Sequence, residues 1–159
     1  MLLLAKFQGG YTWATYASSG GKYTVDMPGK VGTMVRPVPT DAGTIQMYST
    51  YVDLGQKAFM IMHNDYPKAG DSTKVLAGVW SGQTSGKENL KVIRKTSLKW
   101  QGIPAMEGEF DYGSGANITH SRVRFVLKGK RLYQQMVIGI GGTVDRAASD
   151  RFFKTFRIS

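Results

Sequence analysis

The segment Lys57-Ala58-Phe59-Met60-Ile61-Met62-His63 is apolar at both of its alternations. A strand with one wet face alternates apolar and polar side chains, so a run of this kind belongs inside a sheet covered on both sides. The chain must therefore supply packing layers for two faces. Just before it, Ile45-Gln46-Met47-Tyr48-Ser49-Thr50-Tyr51-Val52 has strand length and is rich in aromatic and β-branched residues. Asp53-Leu54-Gly55-Gln56 turns the chain between the two, which makes them a hairpin.

Further strands are predicted on both sides. Thr12–Ser18 and Lys22–Met27 flank Gly20-Gly21, where glycine's access to positive φ is expected to permit a tight reversal. Gly32–Thr44 carries Pro37 and Pro39 and is expected as a loop or an edge segment, because proline cannot donate to a ladder. Leu90–Trp100 alternates weakly and reads as a strand with one solvated face. Gln101-Gly102-Ile103-Pro104 reads as a break. Ala105–Tyr112, Ile118–Leu127 and Arg131–Ile140 follow as a meander, joined by glycine-containing turns.

Two segments have helical spacing instead. In Asp71–Ser85, Asp71 or Ser72 can cap the first turn, and Val75, Leu76, Val79 and Trp80 form one stripe. Gly82 and Gly86 are candidate terminators. Near the end of the chain Thr143 or Asp145 can cap a helix whose Ala148, Phe152 and Phe156 fall on one face. The expected fold is α+β: an antiparallel sheet of about six to eight strands flanked by two short helices.

With 159 residues the chain suits one α+β domain over residues 11–159. Residues 1–10 are expected as an extension, either a leader or anchor remnant or simply a first strand. The apolar start Met1-Leu2-Leu3-Leu4 is too short for a membrane span or a signal-peptide core. There is no cysteine, which excludes a disulfide framework, cysteine-rich zinc sites and thiol catalysis.

The net charge is +10, a bias that favours encounter with anionic partners. His120, Arg122 and Arg124 alternate on one strand, and Glu107, Glu109 and Asp111 on the one before. As meander neighbours these sets oppose and neutralise one another, on what is expected to be a solvated face. The excess then lies in a candidate basic patch: Lys91, Arg94, Lys95, Lys99, Lys128, Lys130 and Arg131. His63 and Asp65 share a strand face and, with His120, are the candidate ligand or metal residues. No zinc spacing, phosphate loop, dinucleotide glycine pattern or nucleophile elbow occurs, so no catalytic residue and no cofactor is assigned.

The opening Tyr16-Ala17-Ser18-Ser19-Gly20-Gly21-Lys22-Tyr23-Thr24-Val25-Asp26-Met27-Pro28 resembles the start of the PsbP-like fold group. That group holds the extrinsic photosystem II proteins and their non-photosynthetic bacterial relatives. Gly129-Lys130-Arg131-Leu132-Tyr133-Gln134 and Asp150-Arg151-Phe152-Phe153-Lys154-Thr155-Phe156 are similar to its end. The resemblance implies an α/β/α sandwich and a non-enzymatic, exported or lumenal protein that docks on membrane complexes. Some members bind divalent cations, but no ligand set matches here. The expected function is thus a non-catalytic binding domain of a periplasmic, exported or membrane-anchored protein, contacting an anionic protein or membrane-complex partner. A soluble polyanion or nucleic-acid-binding domain is the first alternative, and a cytoplasmic location is the alternative to export. A small-ligand or metal-binding domain or enzyme using His63 and Asp65 is the second.

Overall fold

A computed structural model describes residues 6–8, 10–41, 43–141 and 144–159. A seven-stranded antiparallel sheet forms the centre, in the order β4(Gly32–Thr40), β5(Gly43–Asp53), β6(Lys57–Asp65), β10(Arg131–Ile140), β9(Thr119–Lys128), β8(Ile103–Tyr112), β7(Lys91–Trp100). A second sheet combines β1(Lys6–Gln8), β2(Tyr11–Ser18), β3(Tyr23–Met27) and β11(Arg157–Ile158). The helices are α1(Ser72–Thr84) and α2(Arg146–Thr155). Strand β1, which pairs with β2, falls within the stretch expected as an extension. Residues 1–5, and with them the apolar start, lie outside the described residues.

The doubly apolar strand β6 sits third from one edge, covered on both faces as its pattern demands. On one side Phe59 and Ile61 join Val126, Tyr133 and Val137 beneath Trp13, Tyr23 and Val25 of the small sheet and Phe152, Phe153 and Phe156 of the α2 region. On the other, Leu76 and Trp80 of α1 pack on Met106, Phe110, Phe125, Leu132 and Met136. Each fully buried large side chain contributes about 1.5–3 kcal/mol of transfer free energy, and here that gain is divided between two cores. The result is the expected sandwich, except that one outer layer combines a helix with a small sheet.

The local chemistry explains the boundaries. Asp71 caps α1 by accepting from the Lys74 amide at 3.0 Å, and Asp145 caps α2 by accepting from Ala148 at 3.0 Å. Helix α1 runs through Gly82 and ends at Ser85, before Gly86 at φ +71°. Strand β4 is an edge strand, and its two prolines sit there because an outward position needs no ladder donor. The expected break at 101–104 shrinks to a turn at Gln101-Gly102, since Pro104 pairs with Lys99 inside β8.

Gly108 makes room for α1. A Cβ there would fall on the Trp80 six-membered ring and 2.9 Å from the Arg94 carbonyl oxygen. Only a residue without a side chain lets the indole lie this close to β8.

Candidate functional site

The acidic and basic strands pair as their alternation predicts: Glu107 opposite Arg124, Glu109 opposite Arg122, Asp111 opposite His120. The face they occupy is not solvated. Helix α2 covers it, and Glu109 is only 5% exposed. The exposure expectation fails because the ladder's own pattern is polar, while its cover is brought in by a distant segment. Arg146 grips Glu109 through two bonds of 2.5 and 2.9 Å. Arg122 donates to Ser149 Oγ and Asp150, and Arg124 to Glu107 and to the Phe153 carbonyl. The guanidinium of Arg146, then the neighbouring charges, hold the Glu109 carboxyl below its usual range against the opposing effect of burial. This cluster joins α2 to the sheet; its charges are consumed in the fold.

His120 belongs to that cluster, with Nδ1 2.5 Å from Asp111 and Nε2 3.4 Å from Glu109. His63 lies elsewhere. It is level with Tyr133 on β10, whereas His120 is level with Gly139, about 20 Å further along the strand. The two histidines therefore do not converge on one ligand. Among the described residues, no three His, Cys, Asp or Glu side chains gather as a metal site.

His63 and Asp65 do share a face, and both line a cleft of about 370 Å³ between the β2–β3 turn and strands β4, β5 and β6. They are not partners. Both Asp65 oxygens accept from Arg131, at 2.7 and 2.8 Å, and these bonds keep the Asp65 carboxyl below its usual range. Arg131 also donates to the Gly20 carbonyl at 2.8 Å, so it ties the hairpin turn to the sheet. His63 is 6% exposed, with its ring stacked on Tyr48 at 4.9 Å and edge-on to Tyr23 at 6.2 Å. Burial, and then the charge of Arg131, lower its pKa, while Asp65 opposes them.

The expected basic patch divides. Arg94 faces Glu107 and Glu109, Arg131 is held by Asp65, and Lys95 lies over the Trp80 ring at 5.4 Å. Lys91 stands at one end of β7, paired with Asp111, and Lys99 at the other. Lys128 and Lys130 flank the β9–β10 turn, where with Lys22 and Arg131 they line an open groove of about 360 Å³. The ion pairs of the described residues are made by Arg94, Arg122, Arg124, Arg131, Arg146, Arg151 and His120. Lysines, together with the exposed Arg36 and Arg157, thus carry the outward charge.

Two site residues escaped the sequence reading. Tyr48 was legible in principle, because counting back from the Asp53–Gln56 turn sets it opposite His63. Lys22 was not, since packing of separate turns brings it beside Lys128.

No family model matches this sequence, and no curated protein sequence does either. Solved structures do. Cyanobacterial PsbP from Synechocystis superposes with a TM-score of 0.59 at 13% identity, over 98% of this chain and 99% of that one. LpqN, involved in cell envelope biogenesis in Mycobacterium tuberculosis, gives 0.49 at 10% identity over 92% and 90%. A Pseudomonas aeruginosa protein of unknown function gives 0.48 at 9% over 86% and 85%. The chain has a PsbP-like fold. What it shares with the Synechocystis protein is architecture across the whole domain.

Proposed function

We propose that this chain is a non-catalytic binding domain of an exported or membrane-associated protein, docking on an anionic protein face through Lys22, Lys128 and Lys130. The observation behind this reading is the groove where those lysines meet Arg131, with the Asp65 carboxylate already held by Arg131 and Lys128 also donating to the Ser159 carbonyl at 3.4 Å. Lysine heads on an open surface attract an acidic partner over about 8–10 Å of salt-screened distance. The PsbP-like fold and the absence of a recognisable catalytic motif support a binding role over an enzymatic one.

The test is amine-directed cross-linking of the full chain in native membranes, at low and at moderate salt. Cross-links from Lys128 and Lys130 to one acidic protein are expected, and capture of that protein through the remaining lysines should be lost in K22E/K128E/K130E. Cross-links that persist in that variant would refute the reading. Net charge favours a second reading, a polyanion binder. Retention of mixed-sequence oligonucleotides with a steep salt slope, with no protein cross-link, would establish it instead.

A further inference from the structure

The cleft beside β6 has a charge balance unlike the rest of this cationic protein. Its two ionic residues, Asp65 and Arg131, are bonded to each other, so they leave no net charge for a ligand. Several polar groups at or behind its wall are occupied. Tyr23 donates to Thr50 Oγ1 at 2.8 Å, Ser18 Oγ accepts from the Gly21 amide at 2.9 Å, and Tyr133 donates to the Gly21 carbonyl at 2.6 Å.

His63 is different. Its ring is nine-tenths buried and lines the cleft, yet no hydrogen bond from another described residue reaches either nitrogen. Among the described residues the sealed, unmatched polar atoms belong to Asn64 and His120, so the His63 nitrogens meet the open cleft and are free to bond what enters it. The lowered pKa keeps the imidazole neutral at neutral pH, so it offers one N–H donor and one lone pair.

Rings and aliphatic side chains make up much of the remaining wall, beside the hydroxyls of Thr33 and Ser49. Tyr16 comes from the small sheet and Tyr48 from the large one, with Met34 and Val35 on the open edge strand. Tyr48 is 43% exposed and Val35 57%, so an apolar shelf continues from the buried histidine to the mouth. About 300–1,000 Å³ is usual for a small-molecule site, and this cleft lies at the lower end of that range.

We propose that the cleft binds a small uncharged aromatic molecule bearing a hydroxyl group, with His63 as its hydrogen-bond anchor and Tyr16 and Tyr48 as its apolar walls. A phenolic hydroxyl can donate to the bare ring nitrogen or accept from the protonated one, so either histidine tautomer serves. A carboxylate or ammonium on the ligand would be disfavoured, because no free counter-charge faces it.

The probe is p-cresol, titrated into the full chain and followed by NMR of the His63 and Tyr48 rings. Saturable shifts at both rings are expected. Toluene, which lacks the hydroxyl, should bind about tenfold more weakly, the factor that one hydrogen bond of about 1.4 kcal/mol supplies. In His63→Phe the cresol-to-toluene preference should vanish. In Tyr48→Ala, which removes one wall of the cleft, both probes should weaken together. Benzoate should bind no better than toluene. The proposal is overturned if p-cresol gives no saturable shift up to its solubility limit. It is also overturned if wild type does not distinguish cresol from toluene, or if benzoate binds most tightly. The wild-type comparison decides the matter even if the His63 variant does not fold.

Discussion

Arg146, in the first turn of α2, closes a two-point grip on Glu109 in the middle of β8, with bonds of 2.5 and 2.9 Å. The carboxylate is buried while the arginine side chain is 60% exposed, so the pair bridges core and solvent. Arg94, Arg122 and His120 also approach Glu109. Replacing it with glutamine would leave several cationic groups facing a neutral amide. Glu109→Gln should cost about 2–4 kcal/mol, since breaking a buried pair strands its partners. A urea denaturation midpoint unchanged from wild type would contradict this account.

Acid should undo the same contacts. Glu109 and Asp65 are held low by arginine, and Asp145 by its bond from the Ala148 amide. Below the ordinary carboxylate value of about 4, the unfolded chain takes up protons that the folded chain refuses. Stability is therefore complete above that value and falls as pH drops through the depressed folded values. His63 acts in the same direction at higher pH. Its folded pKa is lowered, so its contribution declines as pH falls below about 6.5. The titratable groups facing it are Asp65, Arg131, Tyr16, Tyr23, Tyr48 and Tyr133. Melting temperatures from pH 7 to 3 should fall in two stages, with His63→Phe removing the first.

Which parts of this were legible beforehand follows from the range of the interactions. Caps at Asp71 and Asp145, the limits of Arg131–Ile140 and the pairing of Glu107–Asp111 with His120–Arg124 depend on local spacing, and spacing is written in the sequence. The cover over that ladder depends on where α2 returns after the last strand, which no local pattern encodes. The same holds for the site. His63 and Asp65 on one face is a matter of alternation, but the capture of Asp65 by Arg131 joins residues sixty-six positions apart. The basic patch is read from the charge left over in two sequence clusters, Lys91–Lys99 and Lys128–Arg131, whereas strand direction sends Lys91 and Lys99 to opposite ends of β7.

Gly108 offers a direct test of the packing between α1 and the sheet. An added methyl would strike the rigid indole of Trp80 as well as backbone, so rotation of a flexible side chain cannot relieve it. Gly108→Ala should destabilise by about 1–3 kcal/mol, the usual cost of overpacking. Gly82→Ala has open space around it and lies within α1, so it should be neutral or stabilising by up to about 1 kcal/mol. Thermal unfolding of the two variants side by side checks both signs.

Tyr23 couples the small sheet to the large one through its bond to Thr50 Oγ1, and the hydroxyl lies in the core. Burial raises its pKa to about 12, partly offset by that bond. Because the folded value exceeds the unfolded one of about 10, this contribution is complete below pH 10 and is lost as pH rises through the folded value. Tyr23→Phe removes the hydroxyl but keeps the ring, so at neutral pH it should cost only about 1 kcal/mol. At high pH the order should narrow or reverse, because wild type must either keep its phenol protonated or bury a phenolate. Tyr133, whose pKa burial also raises, keeps some alkaline slope in the variant. Urea midpoints for both proteins between pH 8 and 12 measure the difference. Parallel curves across that range would mean that the Tyr23 hydroxyl is solvated and that the two sheets meet less tightly here than the 2.8 Å bond implies.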